Sequence, residues 1–129
     1  MQWIPSLRVA VREAWQHRSV KLMVIPSMTL LFVHWALHIW KLTPLAGRME
    51  PIPVHYSVQI GIDRLLPWYW TLAAPIIATA AFLVNCSIIV RLRRKNRLEL
   101  ALLLGMWTIF LLALFFVSTF LTVLLNVPV

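Results

Sequence analysis

Three long apolar stretches alternate with polar segments along the chain. They cover residues 22–41, 68–90 and 100–126, and apart from Lys41 at the end of the first they contain no charged side chain. A helix of about 20 apolar residues is long enough to cross the hydrocarbon core of a bilayer. Three strands of an open sheet would leave unpaired backbone groups in lipid, so strands are a poor alternative. The pattern predicts three transmembrane helices, the first, second and third spans.

The segment before the first span, residues 2–20, has a different pattern. Apolar residues recur at helical spacing on one face, with Trp3 and Trp15 among them, whereas Arg8 and Arg12 lie on the other side. Tryptophans and basic residues on opposite faces are typical of a helix that lies in the headgroup layer. We expect an interfacial amphipathic helix here; a frayed basic N-terminus is the alternative.

Basic residues are distributed unevenly about the spans. Nine of the twelve lie before the first span or between the second and third, and only three, Lys41, Arg48 and Arg64, lie at the other side. Basic residues accumulate in cytoplasmic loops. The asymmetry predicts that the N-terminus and the 91–99 loop lie in the cytoplasm and that the C-terminus lies outside. Since topology explains these cations, we expect no nucleic-acid partner.

Five cations of the 91–99 loop are close enough to the predicted membrane surface to contact lipid headgroups, because anionic lipids attract basic residues next to a span. They are Arg91, Arg93, Arg94, Lys95 and Arg97.

The segment 42–67, between the first and second spans, is the predicted outer loop. Apolar and polar residues alternate over 52–60, which favours an extended strand, and prolines confine that strand to an edge or to isolation. Gly61 permits a turn, and 62–66 is expected as a short turn on the membrane surface. We hypothesise that the imidazole of His55 and the carboxylate of Asp63 lie close together and brace the loop, although both could equally be independent, solvated residues.

The second and third spans carry small and polar residues along one stripe each. Small residues let helices approach closely in a membrane, so these stripes predict the contact between the two spans. Pro75 is expected to bend the second span. The predicted packing residues are Ala74, Pro75, Ala78, Ala81, Asn85, Gly105, Thr108 and Thr119.

Two histidines lie one helical turn apart in the first span, His34 and His38. Histidines four residues apart on a helix can share a metal, and ionisable residues inside a membrane call for a functional hypothesis. Tryptophans beside them mark an interfacial belt, where a histidine simply reaches water. Because the other spans contain no histidine, bis-histidine haem ligation within one chain is disfavoured. The sequence favours an interfacial or helix-contact role over a metal site.

Composition supports a membrane protein and excludes several kinds of catalytic and metal site. Of 129 residues, 61% are hydrophobic and 12% are charged, against roughly 25% charged in soluble domains. A single cysteine excludes an intrachain disulfide and a multi-cysteine metal site. Only four acidic residues are present, and no paired carboxylates, nucleophile elbow or phosphate loop occur. We therefore expect a protein that is not an enzyme and carries no cofactor.

The outer loop carries a resemblance to a known group. The run 53–63 contains His55, Tyr56, Gly61 and Asp63, and Pro67-Trp68-Tyr69 follows it. This resembles the "LHYN…GID…WY" loop of small bacterial three-span membrane proteins, with Ser57 in place of the asparagine. More distantly, it is similar to the N-terminal region of SdpI-type immunity and signalling membrane proteins. The resemblance implies a bacterial inner-membrane protein with the three-span topology and an outer-loop site at His55, Tyr56, Gly61 and Asp63; it implies no particular activity.

The fold class that follows is an all-α integral membrane protein with one membrane domain over 1–129: an interfacial helix, three spans and an extended outer loop. The preferred function is that of an accessory or scaffold subunit that packs against membrane-protein partners or itself. One alternative is an immunity or envelope-signalling protein that binds a ligand through the outer loop. Another is a metal- or haem-associated redox subunit that uses His34, His38 and His55.

Overall fold

The computed structural model describes residues 9, 12, 15–45, 51–59 and 61–126. Its three long helices are long and apolar enough to cross a membrane: Arg18–Leu45, Trp68–Arg94 and Leu98–Asn126, which we call the first, second and third spans. Helix α1, Arg18–Leu37, continues into a π-helical turn, His38–Leu42, and a 3₁₀ turn, Thr43–Leu45. Helix α2, Ala73–Arg94, follows a 3₁₀ turn over Trp68–Leu72, and helix α3 is Leu98–Asn126. This confirms the predicted set of three helices that are long and apolar enough to span a membrane.

The third span lies between the other two and packs against both, while the first and second spans touch over a shorter stretch. Near one end of the bundle, Val20, Ile89 and Ala101 form a buried apolar cluster. We call this the basic end, since Arg91–Arg94 belong to it, and the opposite end, where the strands lie, the hairpin end. A second buried cluster of Ala78, Phe82 and Leu112 lies deeper in the bundle.

A close contact fixes the first span against the third. A Cβ built on Gly105 would lie 2.9 Å from Cβ of Met23, which is shorter than real Cβ contacts allow. Glycine therefore permits this approach of two helix backbones. The stripe of Gly105, Thr108 and Thr119 was expected to meet the second span, but the structure turns part of it toward the first.

The basic loop is shorter than predicted. Helix α2 extends to Arg94, so the connection to α3 is only residues 95–97. Asn96 takes a left-handed backbone conformation, φ 55°, and the N–H of Arg97 donates to the carbonyl oxygen of Leu92. Cations in the last turn are favoured by the negative end of the helix dipole, which explains why the helix continues through them.

The predicted interfacial helix over 2–20 lies largely outside the described residues. Its last residues, Arg18–Val20, belong instead to the first spanning helix, which begins after the extended backbone of His17. The first span thus starts four residues before its predicted position at residue 22, because Val20 is buried against the other spans.

Pro75 does not lie in the interior of a helix, as the sequence prediction required for a bend. The α-helix begins at Ala73, so Pro75 occupies its first turn, where no intrahelical partner exists for a backbone N–H. A 3₁₀ turn, Trp68–Leu72, directly precedes the α-helix.

Within the predicted outer loop the structure has a β-hairpin, not a single extended strand followed by a turn. Strand β1, Ile52–Ser57, pairs antiparallel with strand β2, Gly61–Leu66. Gly61 has a φ of 82°, which a glycine adopts without strain at the start of the return strand. The expected surface turn over 62–66 was wrong because those residues satisfy their backbone groups by pairing with β1.

Candidate functional site

A polar face on the first span points into the bundle. Ser27, His34 and His38 are each at most 2% exposed although the helix around them is apolar. Ser27 Oγ donates to the carbonyl oxygen of Met23 at 2.8 Å, so its hydroxyl is satisfied within its own helix. The two histidines face the other spans, which contradicts the interpretation in which they reach interfacial water.

His34 contacts the third span directly. Its Nε2 lies 2.7 Å from Oγ1 of Thr119, and its ring meets the edge of Phe116 with centroids 6.3 Å apart. Thr119 is 3% exposed, so the pair is shielded from solvent. Neutral imidazole offers one donor and one acceptor, and the hydroxyl satisfies one of them. Nδ1 of His34 has no hydrogen-bond partner among the described residues.

His38 opens the π-helical turn at the end of the first span. The ring is 1% exposed and lies edge-on to Trp35, with centroids 6.3 Å apart. Neither ring nitrogen finds a hydrogen-bond partner in the described part of the chain. Short π-helical segments are frequent at functional sites. His38 begins such a segment, and its buried ring nitrogens have no hydrogen-bond partner among the described residues.

The two histidines do not gather a metal-binding set. No group of three His, Cys, Asp or Glu side chains comes within reach of a common ion in the described ranges. In particular, His55 is exposed on β1 while His34 and His38 are buried between the spans. The arrangement offers at most two imidazoles, whereas structural zinc takes four ligands and catalytic zinc takes three from the protein.

Three further polar contacts join separate elements. Asn85 Nδ2 donates to Oγ1 of Thr108 at 2.9 Å, between the second and third spans. Trp35 Nε1 donates to Oγ1 of Thr79 at 3.0 Å, between the first and second. Such bonds each contribute about 0.6 kcal/mol on average inside a membrane. Their distribution shows that much of the polar content of the spans is used to hold the helices together.

The third contact, at the hairpin end, was not foreseen from the sequence. Nδ2 of Asn126, in the last turn of α3, donates to the carbonyl oxygen of Pro53 at 2.7 Å. Asn126 is 4% exposed, and Ile52 beside the contact is fully buried. The hairpin is therefore attached to the third span rather than suspended above it. The only available signal was a polar residue at the end of an apolar run.

A cavity of about 270 Å³ lies between the hairpin and the ends of the spans next to it. The hairpin contributes Val54 and Leu66 to its wall, and the third span contributes hydroxyls. Thr122 and Ser118 are among these, and Oγ1 of Thr122 donates to the carbonyl oxygen of Ser118 at 3.1 Å. The wall of the cavity is therefore partly polar and partly apolar.

The remaining predicted site residues are distributed as follows. Ala78 is fully buried in the core, whereas Ala74 and Ala81 are half-buried. In the hairpin register His55 is opposite Arg64, and Tyr56 is opposite Ile62. The side chains of Tyr56 and Asp63 lie outside the described structure, so the proposed brace between His55 and Asp63 remains a hypothesis.

The five predicted headgroup cations gather at the basic end. Arg91, Arg94, Lys95 and Arg97 are exposed there, and Arg93 is half-buried. Nε of Arg93 has no hydrogen-bond partner among the described residues. Arg93 follows Ile89 by one helical turn, so it lies on the side of α2 that meets the buried cluster.

Comparison with protein-family models, curated proteins and solved structures finds no match to the chain. The geometry of the bundle and hairpin is therefore the basis for any functional conclusion.

Proposed function

We propose that the chain is a non-catalytic accessory or scaffold subunit of a membrane-protein assembly, with the hairpin as its contact surface. The observation that carries this proposal is a set of exposed apolar side chains on the hairpin. Val58 at the turn is 93% exposed, and Ile62 and Leu65 on β2 are each 52% exposed. Apolar side chains presented outside the spans are favourable when a partner covers them.

Attachment of the hairpin to the bundle supports the same proposal. The bond from Asn126 to Pro53 and the buried Ile52 hold β1 against the third span. A surface held in place loses less conformational entropy on binding than a mobile loop would. The polar contacts between spans, such as His34 with Thr119, serve the stability of this support rather than a reaction.

The orientation that we propose follows from the basic residues. The exposed cations at the basic end lie in the cytoplasm of a bacterial cell by the positive-inside rule, and the hairpin lies outside the inner membrane. The partner surface would then be the outer side of a membrane complex.

Co-purification in mild detergent, followed by mass spectrometry, tests the proposal. We expect a stoichiometric membrane-protein partner, or a second copy of the chain, with the wild-type protein. Val58→Asp should abolish this association, because a charge would be buried at the contact. Gln59→Ser, at the exposed neighbouring position, is the matched control and should leave it intact. Recovery of a monomer alone, or equal recovery of the partner with both variants, would contradict the proposal.

A second candidate function is favoured by the cavity under the hairpin. A recess of about 270 Å³ with hydroxyls from the third span suits a small polar ligand. This would fit an immunity or envelope-signalling protein that senses a peptide or cell-wall fragment. Ser118→Leu would narrow the cavity from its polar wall, so it should abolish ligand binding while leaving partner association through Val58 unchanged.

A further inference from the structure

An apolar groove runs between the second and third spans near the basic end. Its volume is about 690 Å³, and its walls are built from both helices. Ile88 and Leu92 contribute from α2, and Leu100 and Trp107 from α3. Phe110 extends the aromatic wall, with its ring centroid 5.5 Å from that of Trp107. The groove is open along the side of the bundle, where membrane lipid lies.

Two basic residues, Arg91 in the last turn of α2 and Lys95 directly after it, continue the face of α2 that lines the groove. Arg91 follows Ile88 by three residues and Lys95 follows Leu92 by three, which places each cation one helical turn beyond a groove residue. Both side chains are exposed. Arg97, in the connection to α3, adds a third exposed cation beside them.

Negative charge is scarce around these cations. Glu99, in the first turn of α3, is the only acidic residue whose side chain the structure describes. No ion pair of Arg91 or Lys95 with it is formed. The basic end therefore presents positive charge at the mouth of an apolar groove, and this combination is complementary to an anionic amphiphile.

We propose that this groove is a binding site for one anionic phospholipid. An acyl chain lies along Leu92, Leu100 and Trp107, and the phosphate-bearing headgroup lies at Arg91 and Lys95. Basic pockets between spanning helices bind anionic headgroups in this way. The proposal does not depend on the hairpin or on its partner, since the site is at the opposite end of the bundle.

A second apolar groove allows the contribution of the exposed cations to lipid selectivity to be judged by comparison. It lies on the first span at the hairpin end, has a volume of about 540 Å³, and includes Trp35 and Trp40 in its wall. Its neighbouring cation, Lys41, has its Nζ 4.2 Å from the centroid of the Trp40 ring. The two grooves are similarly apolar, but among the described residues only the groove at the basic end has several exposed cations at its mouth. Selectivity for anionic lipid is therefore expected at that groove alone.

Quenching of Trp107 by brominated lipid tests the site. The full chain is reconstituted in phosphatidylcholine vesicles that contain a minor fraction of either brominated phosphatidylglycerol or brominated phosphatidylcholine. The difference between wild type and Trp107→Phe isolates the emission of this residue. We expect brominated phosphatidylglycerol to quench Trp107 well beyond its share of the bilayer, while brominated phosphatidylcholine does not.

Charge variants separate a defined site from general attraction. R91Q/K95Q should lower the preference for phosphatidylglycerol about tenfold or more, as two basic side chains near an anionic surface suggest. R18Q/K21Q removes the same charge from the first span at the same end and should leave the preference largely unchanged.

Equal quenching by the two brominated lipids, or an equal effect of the two double variants, would overturn the proposal. Phosphatidylglycerol retained on detergent-purified protein, measured by mass spectrometry, gives a second readout that does not depend on Trp107→Phe. Wild type and R18Q/K21Q should retain it, and R91Q/K95Q should not.

Discussion

Asn126 and Pro53 are 73 positions apart in the chain, yet Nδ2 of one lies 2.7 Å from the carbonyl oxygen of the other. The same Nδ2 also donates to the carbonyl oxygen of Thr122 at 2.8 Å. One amide group thus joins the end of the third span to the first strand of the hairpin. This contact converts the loop between the first and second spans into a surface with a fixed position on the bundle.

Removal of that amide should loosen the hairpin. In Asn126→Leu we expect the β1 amides to exchange hydrogen about fivefold faster, since a bond of this kind contributes about 1 kcal/mol. Hydrogen exchange measured by mass spectrometry on peptides from 52–57 checks this. Asn85→Leu removes a similar amide whose partner is Thr108, far from the hairpin, and should leave the exchange of β1 unchanged. Identical exchange in both variants would show that Asn126 does not hold the hairpin.

The contact between His34 and Thr119 should contribute to the stability of the bundle. Thr119→Val keeps the shape and removes the hydroxyl, so we expect the free energy of unfolding to fall by about 0.5–1.7 kcal/mol. The measurement is reversible unfolding in mixed detergent micelles. Thr29→Val is the control, because the Thr29 hydroxyl is exposed and bonds only within its own helix, to Ile25. A double-mutant cycle with His34→Leu should give a coupling energy above zero; additive effects would mean that the bond contributes nothing.

The sign of the stability change in Gly105→Ala tests whether the first and third spans approach each other closely. In a helix without close neighbours, alanine is more favourable than glycine by about 1 kcal/mol. Here the new Cβ would meet Cβ of Met23 at 2.9 Å, so the first and third spans must separate. We expect a net loss of stability, of about 1–3 kcal/mol if overpacking has its usual cost. A more stable Gly105→Ala protein would show that these helices do not approach as closely as described; Met106→Ala, on the exposed side, is the control.

The spans could be predicted from the sequence because an apolar run of sufficient length has few alternatives in lipid. The contacts of Asn85 and Ala78 also follow from small and polar residues on one stripe. The partners of Gly105 and Thr119 could not be predicted in this way. The order in which three helices pack depends on their mutual rotation, which a stripe on one helix does not specify.

The pairing of the two hairpin strands also could not be predicted from the sequence. Alternation over 52–60 indicated a strand, but residues 61–66 carry two charges and no clear alternation, so their pairing with β1 was not evident. Gly61 supplied the turn signal, but the register, which is irregular on both sides of His55, does not follow from the pattern. Likewise, the tryptophans beside His38 suggested an interfacial residue, whereas the π-helical turn and burial of its ring became apparent only from the packing.

The orientation can be tested by labelling single cysteines. Gln59 and Lys95 are both exposed and lie at opposite ends of the bundle. In a Cys86→Ala background, Gln59→Cys should react with a membrane-impermeant thiol reagent added to intact bacterial cells, and Lys95→Cys should react only after the membrane is broken. The reverse pattern would place the hairpin in the cytoplasm.

The central claim is that the hairpin is a contact surface for a membrane partner, and photo-crosslinking from Val58 tests it most directly. A photoreactive amino acid replaces Val58 in cells, and the same residue replaces Leu103, an exposed apolar position on the third span, as the control. The account predicts one discrete protein adduct from position 58, competed by excess unmodified chain, and only lipid adducts from position 103. Absence of a protein adduct at position 58, or the same protein adducts from both positions, would contradict it.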